Sequence, residues 1–194
     1  MTRLSRRMAR PLTLLIAALA LVAGLAGCGN ATHEPRTFAE TEGLYLELDE
    51  LEYQIQISRQ LNPSDVEDAD YLRGIPETVE PPTPEEAWFA VFLRVQNQSD
   101  HAIETASSFE IEAADATKFT PIPLDAEANP FAYDATELRP GGLLPPLDSA
   151  ASNNNPIRGS MVLFKLPYAA FHNRPLEFHI KPLGGETGIV DLDV

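Results

Sequence analysis

The spacing of apolar residues is the feature that most limits what this chain can fold into. From residue 44 onward, apolar residues recur at every second position, as in Leu44, Leu46 and Leu48. That period places side chains on one face of a β-strand, whereas an amphipathic helix needs a period of 3.6 residues. Beyond the first 27 residues, no apolar helical stripe extends over about ten residues, so the pattern predicts an all-β fold.

Two runs shape the predicted sheets. The run from Leu51 to Ile57 alternates on the opposite parity to residues 44–48, and we interpret the switch at Asp49-Glu50 as a β-bulge. The nearly continuous apolar run from Ala87 to Val95 is typical of a central strand that is covered on both faces. Shorter strands are expected within 102–105, 109–113, 118–122, 160–166, 176–180 and 190–194. About seven to eight strands with almost no helix predict an antiparallel β-sandwich, with a closed barrel as the alternative.

Residues 61–86 are predicted to be a long proline-rich insertion after the first strand. Asp65 to Leu72 is expected to form one or two helical turns, and the prolines that come after it exclude regular structure. We interpret the acidic residues as a solvated helix face, because they lack the glycine and the distal Glu of a calcium loop. These acids are Asp65, Glu67, Asp68 and Asp70.

The apolar residues of this insertion, Tyr71, Leu72 and Ile75, have two interpretations. They form either a contact site for a partner protein or a lid that packs back on the sandwich. The prolines favour recognition, because a stiff loop loses less freedom when it docks. Both hypotheses remain open at the level of the sequence.

The first 27 residues are predicted to be a signal peptide. Four arginines (Arg3, Arg6, Arg7 and Arg10) precede an apolar run from Leu12 to Ala26, which is short for a membrane span. A general secretory route is favoured over a twin-arginine route, because Met8-Ala9-Arg10 lacks the usual Phe-Leu. The run ends in Leu25-Ala26-Gly27-Cys28, which resembles the lipobox of bacterial lipoproteins. That resemblance implies cleavage between Gly27 and Cys28 and lipidation of Cys28.

The predicted mature chain is a membrane-anchored acidic protein. Residues 28–42 are expected to comprise the lipidated Cys28 and a flexible tether, and residues 43–194 the folded domain. Loss of the four signal arginines leaves 10 basic against 29 acidic side chains, a formal charge of −19. Nucleic acid is excluded as a partner, because phosphate binding needs a basic face.

Catalytic and metal sites receive little support from the sequence. There is no Gly-x-Ser-x-Gly motif, and the single cysteine is assigned to the anchor. The histidines His172 and His179 are too few for a zinc site, and His179 is expected to face solvent. Trp88, Phe89 and Phe92 are interpreted as core residues rather than as the lining of a groove. We therefore expect no cofactor, no metal and no enzymatic activity.

Loose motifs in the second half of the chain point to a family. They are the strand end 94–100, the segment 107–111, the hairpin at 118–121, Pro140-Gly141-Gly142, and the strands 159–164 and 175–178. Their order resembles the secreted immunoglobulin-like domain of unknown function that bacterial lipoproteins carry. The low lysine content indicates an actinobacterial source. The resemblance implies an immunoglobulin-like sandwich and an extracytoplasmic location, and the expected role is a binding or interaction module. A small-ligand or metal-ion carrier is the alternative, and a hydrolase comes third.

Overall fold

The computed structural model describes residues 34–153 and 157–194, and Pro35–Val194 forms one compact unit. The first strands are β1 (Phe38–Ala39), β2 (Tyr45–Leu48), β3 (Leu51–Leu61), β4 (Glu86–Asn97), β5 (Ile103–Glu104) and β6 (Ser108–Ala113). The remaining strands are β7 (Lys118–Phe119), β8 (Glu137–Leu138), β9 (Leu143–Leu144), β10 (Ser160–Pro167), β11 (Leu176–Lys181) and β12 (Gly188–Asp191). The helices are α1 (Val66–Tyr71), α2 (Ala150–Asn153) and the 3₁₀ helix η1 (Tyr168–His172).

These strands form a β-sandwich, as the alternating pattern predicts. One sheet has the order β1-β12-β11-β6-β7, and the other has the order β10-β4-β3-β2, with β9 also paired to β4. Neighbouring strands are antiparallel except β1 and β12, which are parallel. A separate small sheet pairs β5 with β8. Strands of four residues or longer in the described ranges are β2, β3, β4, β6, β10, β11 and β12, in agreement with the expected seven to eight.

The core lies between the two sheets and consists of the inward side chains of each strand. Phe89, Phe164 and Phe178 are fully buried there, and the ring of Phe178 stacks on Phe109 with centroids 5.5 Å apart. Burial of such side chains stabilises the fold by about 1.5–3 kcal/mol each. The sandwich is therefore held by aromatic and aliphatic packing, as its alternating strands require.

Strand β4 is buried on both faces, which confirms the prediction for Ala87 to Val95. Its odd-numbered residues face the core between the sheets, and Trp88, Ala90 and Phe92 belong to a second cluster on the other face. The insertion 62–85 covers that second cluster with Tyr71, which is 1% exposed. The run is continuously apolar because the insertion covers the outer face of β4 as a lid. Without that lid, this face would be exposed to solvent.

The prediction of a bulge at Asp49-Glu50 is wrong. These two residues form the turn of a tight hairpin, in which Leu48 pairs with Leu51. Their φ values of 51° and 63° are those of a two-residue hairpin turn. The parity of the apolar residues changes because the chain reverses direction. A register shift does occur farther along, between Ile55 and Ile57, and it turns Leu61 toward the second cluster.

Two predicted boundaries also need correction. The proline-rich insertion follows β3 rather than the first strand. The expected tether through residue 42 is too long, because Phe38 and Ala39 pair with Ile189 and Val190 and Ala39 is fully buried. The folded unit therefore begins near Pro35 instead of residue 43.

Helix α1 begins at Val66, with Asp65 as its N-cap, close to where the sequence predicts. The Asp65 carboxylate accepts hydrogen bonds from the backbone N–H groups of Glu67 and Asp68, which caps the first turn. The prediction that all four acids form a solvated face is wrong for Asp68, which is 3% exposed. Its carboxylate binds Arg59 and the backbone N–H of Asn62, so it joins the helix to β3.

Candidate functional site

The sandwich has two distinct ends, and its topology determines which residues lie at each. At the entry end, the carbonyl of Arg36 accepts a hydrogen bond from Glu47 N, close to the β2–β3 turn. At the opposite end, β3 finishes at Leu61, which pairs with Trp88 near the start of β4, and Pro167 of β10 pairs with Glu86. Because β4 has 12 residues, the two ends lie about 40 Å apart.

A groove of about 470 Å³ lies at the end opposite the chain entry. We call it the end groove. Its residues come from the end of β3, from the insertion and from β4 and η1. They are Gln60, Leu61, Asn62, Pro63, Pro81, Pro82, Thr83, Glu86, Ala87, Trp88 and Tyr168. The volume falls within the range of small-molecule binding pockets.

The floor of the end groove is apolar and aromatic. Trp88 is 5% exposed and belongs to the cluster beneath the lid, whereas Tyr168 is 46% exposed at the rim. Prolines 63, 81 and 82 supply rigid walls, since each has a fixed φ. An aromatic side chain next to stiff apolar walls suits a ligand that buries apolar surface without needing the groove to rearrange.

The rim is shaped by hydrogen bonds to the backbone. Thr83 N donates to the Glu86 carboxylate at 3.0 Å, and this bond is the main reason that the pKa of Glu86 lies below its usual value. Tyr168 N donates to the Glu85 carbonyl, and Lys165 Nζ donates to the Glu80 carbonyl at 3.1 Å. The rim therefore carries both the Glu86 carboxylate and the exposed ring of Tyr168.

The residues predicted to contact a partner occupy the lid instead. Tyr71 is buried between Phe92 and Phe131, with ring centroids 4.9 and 5.0 Å away, and Leu72 and Ile75 are half-buried against the same cluster. The partner-contact hypothesis is therefore wrong for Tyr71, because its side chain is already used within the fold. Its competitor, the lid, accounts for all three residues.

The interpretation of Trp88 as a core residue rather than a groove residue is only partly right. Trp88 shares an apolar run with Phe89 and Phe92, and both phenylalanines are fully buried as expected. Trp88 is the member that also reaches the end groove. Tyr168 carries no sequence signal, because its position beside Glu85 depends on pairing between β4 and β10.

The other predicted residues lie away from this groove or outside the description. Gly27 and Cys28 are outside the described residues. His172 is exposed on η1, and His179 lies on the outer face of β11, although its side chain is only 12% exposed. In the described ranges, no helix has the length and apolar character needed to cross a bilayer.

Comparison with solved structures finds similar folds in bacterial proteins. The yjhA protein from Bacillus subtilis is similar over 79% of this chain and 99% of that one, with a TM-score of 0.52 and 8% sequence identity. An uncharacterized β-sandwich protein from Clostridium difficile 630 gives a TM-score of 0.46 at 14% identity, covering 84% and 100% of the two chains. A protein named as a lipoprotein candidate (ycdA) from Bacillus subtilis gives 0.45 at 12% identity, covering 81% and 39%.

No family model and no curated protein matches the sequence. The likeness to yjhA is a likeness of fold, because 8% identity carries no information about ligands. The chain is a β-sandwich protein.

Proposed function

We propose that this protein is a lipid-anchored extracytoplasmic binding module, held to the membrane through acylated Cys28, and that its end groove contacts an envelope protein. The observation that carries the proposal is the position of the groove, at the end of the sandwich opposite the chain entry. At that end the groove stays accessible when the domain is anchored through its entry end.

The short tether strengthens this argument. The folded unit begins at Pro35, so the segment from Cys28 to Pro35 spans at most about 25 Å when fully extended. An anchor at Cys28 holds the entry end near the headgroups, and the end groove then points away from the membrane. The formal charge of −19 after signal removal keeps the domain off an anionic surface.

The groove favours an extended peptide segment that is apolar and positively charged. Its rigid prolines and the exposed Tyr168 offer contact area at low entropic cost. The Glu86 carboxylate at the rim already has the Lys165 ammonium nearby, and the attraction for cations comes mainly from the acidic character of the whole domain. An anionic ligand is disfavoured on the same grounds.

The topology supports the immunoglobulin-like assignment within the β-sandwich class. In one sheet β11 lies between β6 and β12, and in the other β4 lies between β3 and β10. Two packed, mainly antiparallel sheets, each with a flanked central strand, are the architecture that immunoglobulin-like domains share with other β-sandwiches. Such domains serve most often as interaction modules, which agrees with a binding role rather than a catalytic one.

Two experiments test the proposal. A Cys28→Ser variant should accumulate as unprocessed precursor without acyl label, and normal processing with membrane retention would contradict the anchor. Affinity capture from native membranes should recover a partner with the wild type and lose it with Tyr168→Ala. Capture should also weaken at high ionic strength, because the attraction of the acidic domain is electrostatic. Equal capture by wild type and Tyr168→Ala would contradict the role of the groove.

A small apolar ligand is the second candidate occupant, favoured by the groove volume of about 470 Å³. This alternative predicts a melting temperature that rises with ligand concentration, and the rise should be absent in Tyr168→Ala.

A further inference from the structure

The outer face of the first sheet brings a histidine and several carboxylates together. Strands β6 and β11 are antiparallel neighbours, with Glu110 opposite His179 and Glu112 opposite Glu177. All four side chains alternate with buried residues of the core, so they share the outer face. The pairing therefore joins residues that are far apart in the sequence.

Three of these residues bring possible metal ligands close together. One carboxylate oxygen each from Glu110 and Glu112 and one ring nitrogen from His179 lie within 4.8 Å of one another. The side chains of Glu110, Glu112 and His179 are 14%, 24% and 12% exposed. A tetrahedral ion with bonds near 2.0–2.1 Å holds its ligands roughly 3.3 Å apart, so small rotations of the glutamates close the site.

A second carboxylate orients the histidine. Glu177 Oε2 lies 3.0 Å from His179 Nε2, two residues away on the same strand. Metal-binding histidines commonly have such a carboxylate partner, which fixes the ring and increases its basicity. The contact with Glu177 restrains the orientation of the His179 ring.

Two lysines neutralise the glutamates. Lys118 Nζ lies 2.8 Å from Glu110 and 3.0 Å from Glu112, and Lys181 Nζ lies 3.2 Å from Glu110. The Lys118 side chain is 52% exposed, and its flexible stem allows the ammonium to move into solvent.

We propose that Glu110, Glu112 and His179 bind a divalent first-row transition ion, with the Lys118 ammonium as the cation that it displaces. The imidazole nitrogen selects such an ion over Ca²⁺ or Mg²⁺, which prefer oxygen ligands alone. This site lies on the other sheet from the end groove and does not depend on the proposed function.

The test is a Zn²⁺ titration of the tag-free full chain in detergent, in competition with a chromophoric chelator. We expect one saturable site, at least tenfold weaker binding in His179→Ala, and unchanged binding in the control His172→Ala, which alters an exposed histidine. Lys118→Gln should tighten binding severalfold, because it removes the competing charge but keeps the length of the side chain. A merely structural ion-pair network predicts no gain of Zn²⁺ affinity from that change.

Circular dichroism establishes first that each variant is folded. Absence of a saturable site in the wild type would overturn the proposal, as would Zn²⁺ binding that survives His179→Ala. Equal affinity for Ca²⁺ would contradict the role of the imidazole, and Lys118→Gln without tighter binding would contradict the displacement of the lysine.

Discussion

The side-chain amide of Asn129 donates a hydrogen bond of 2.8 Å to the backbone carbonyl of Tyr71, and this pair fastens the insertion to the rest of the sandwich. The same amide donates to the Arg73 carbonyl at 3.0 Å, and its oxygen accepts from Phe131 N. Asn129 is fully buried. The Asn129 side chain thus satisfies the carbonyls of Tyr71 and Arg73 in the insertion and the N–H of Phe131 in its own loop.

Replacement of Asn129 by Ala should lower the free energy of unfolding by about 1–3 kcal/mol, because it leaves buried carbonyls without donors. Urea unfolding measures this change. Gln60→Ala, at an exposed position, is the control and should stay within about 0.5 kcal/mol of the wild type. An unchanged midpoint in Asn129→Ala would show that the lid is held by other contacts.

The two faces of α1 should respond differently to truncation. Tyr71→Ala should cost about 3–5 kcal/mol, the usual range for loss of a large buried side chain. Val66→Ala, on the same helix but 84% exposed, should have almost no effect. Denaturant unfolding compares the two variants. A near-neutral Tyr71→Ala that loses partner capture would restore the partner-contact hypothesis.

Asp191 should make stability depend on pH. Burial, followed by the charges of Glu177, Asp193 and Glu40, raises the pKa of Asp191, and its Oδ1 is buried without a hydrogen-bond partner among the described residues. The folded state therefore keeps the Asp191 proton at a pH at which the aspartate of the unfolded chain, with a pKa of ~3.9, has lost it. The protonated Asp191 side chain contributes fully to stability below a pH of about 4. That contribution is lost as the pH rises through the raised pKa.

Asp191→Asn removes that penalty, so the variant should melt at a higher temperature than the wild type at pH 7. The advantage should shrink as the pH falls toward 4. Calorimetry across this range measures the difference, with exposed Asp148→Asn as the control. A lower melting temperature for Asp191→Asn at pH 7 would contradict the prediction.

The sequence is most informative where neighbouring residues alone determine the local structure. The run from Ala87 to Val95 identifies β4, and Asp65 identifies the start of α1, since both signals depend on neighbouring residues alone. The Asp49-Glu50 turn escapes prediction because neither residue is glycine, although both have positive φ. Nothing in the local sequence distinguishes such a hairpin from a bulge.

The two candidate sites are beyond the reach of the sequence for a different reason. Tyr168 reaches the end groove, and Glu110 meets His179, through strand pairing between distant segments. A shift of one residue in the register of β11 would turn His179 into the core. Sites of this kind depend on register, which alternation alone does not determine.

The most direct test of the proposed function places a photoreactive amino acid at Tyr168 of the full chain and irradiates native membranes. The control places the same group at Tyr45, an exposed aromatic residue outside the end groove. We predict a discrete crosslinked protein from position 168 that is absent from position 45 and is reduced at high ionic strength. The same adduct from both positions, or none from position 168, would contradict a binding role for the end groove.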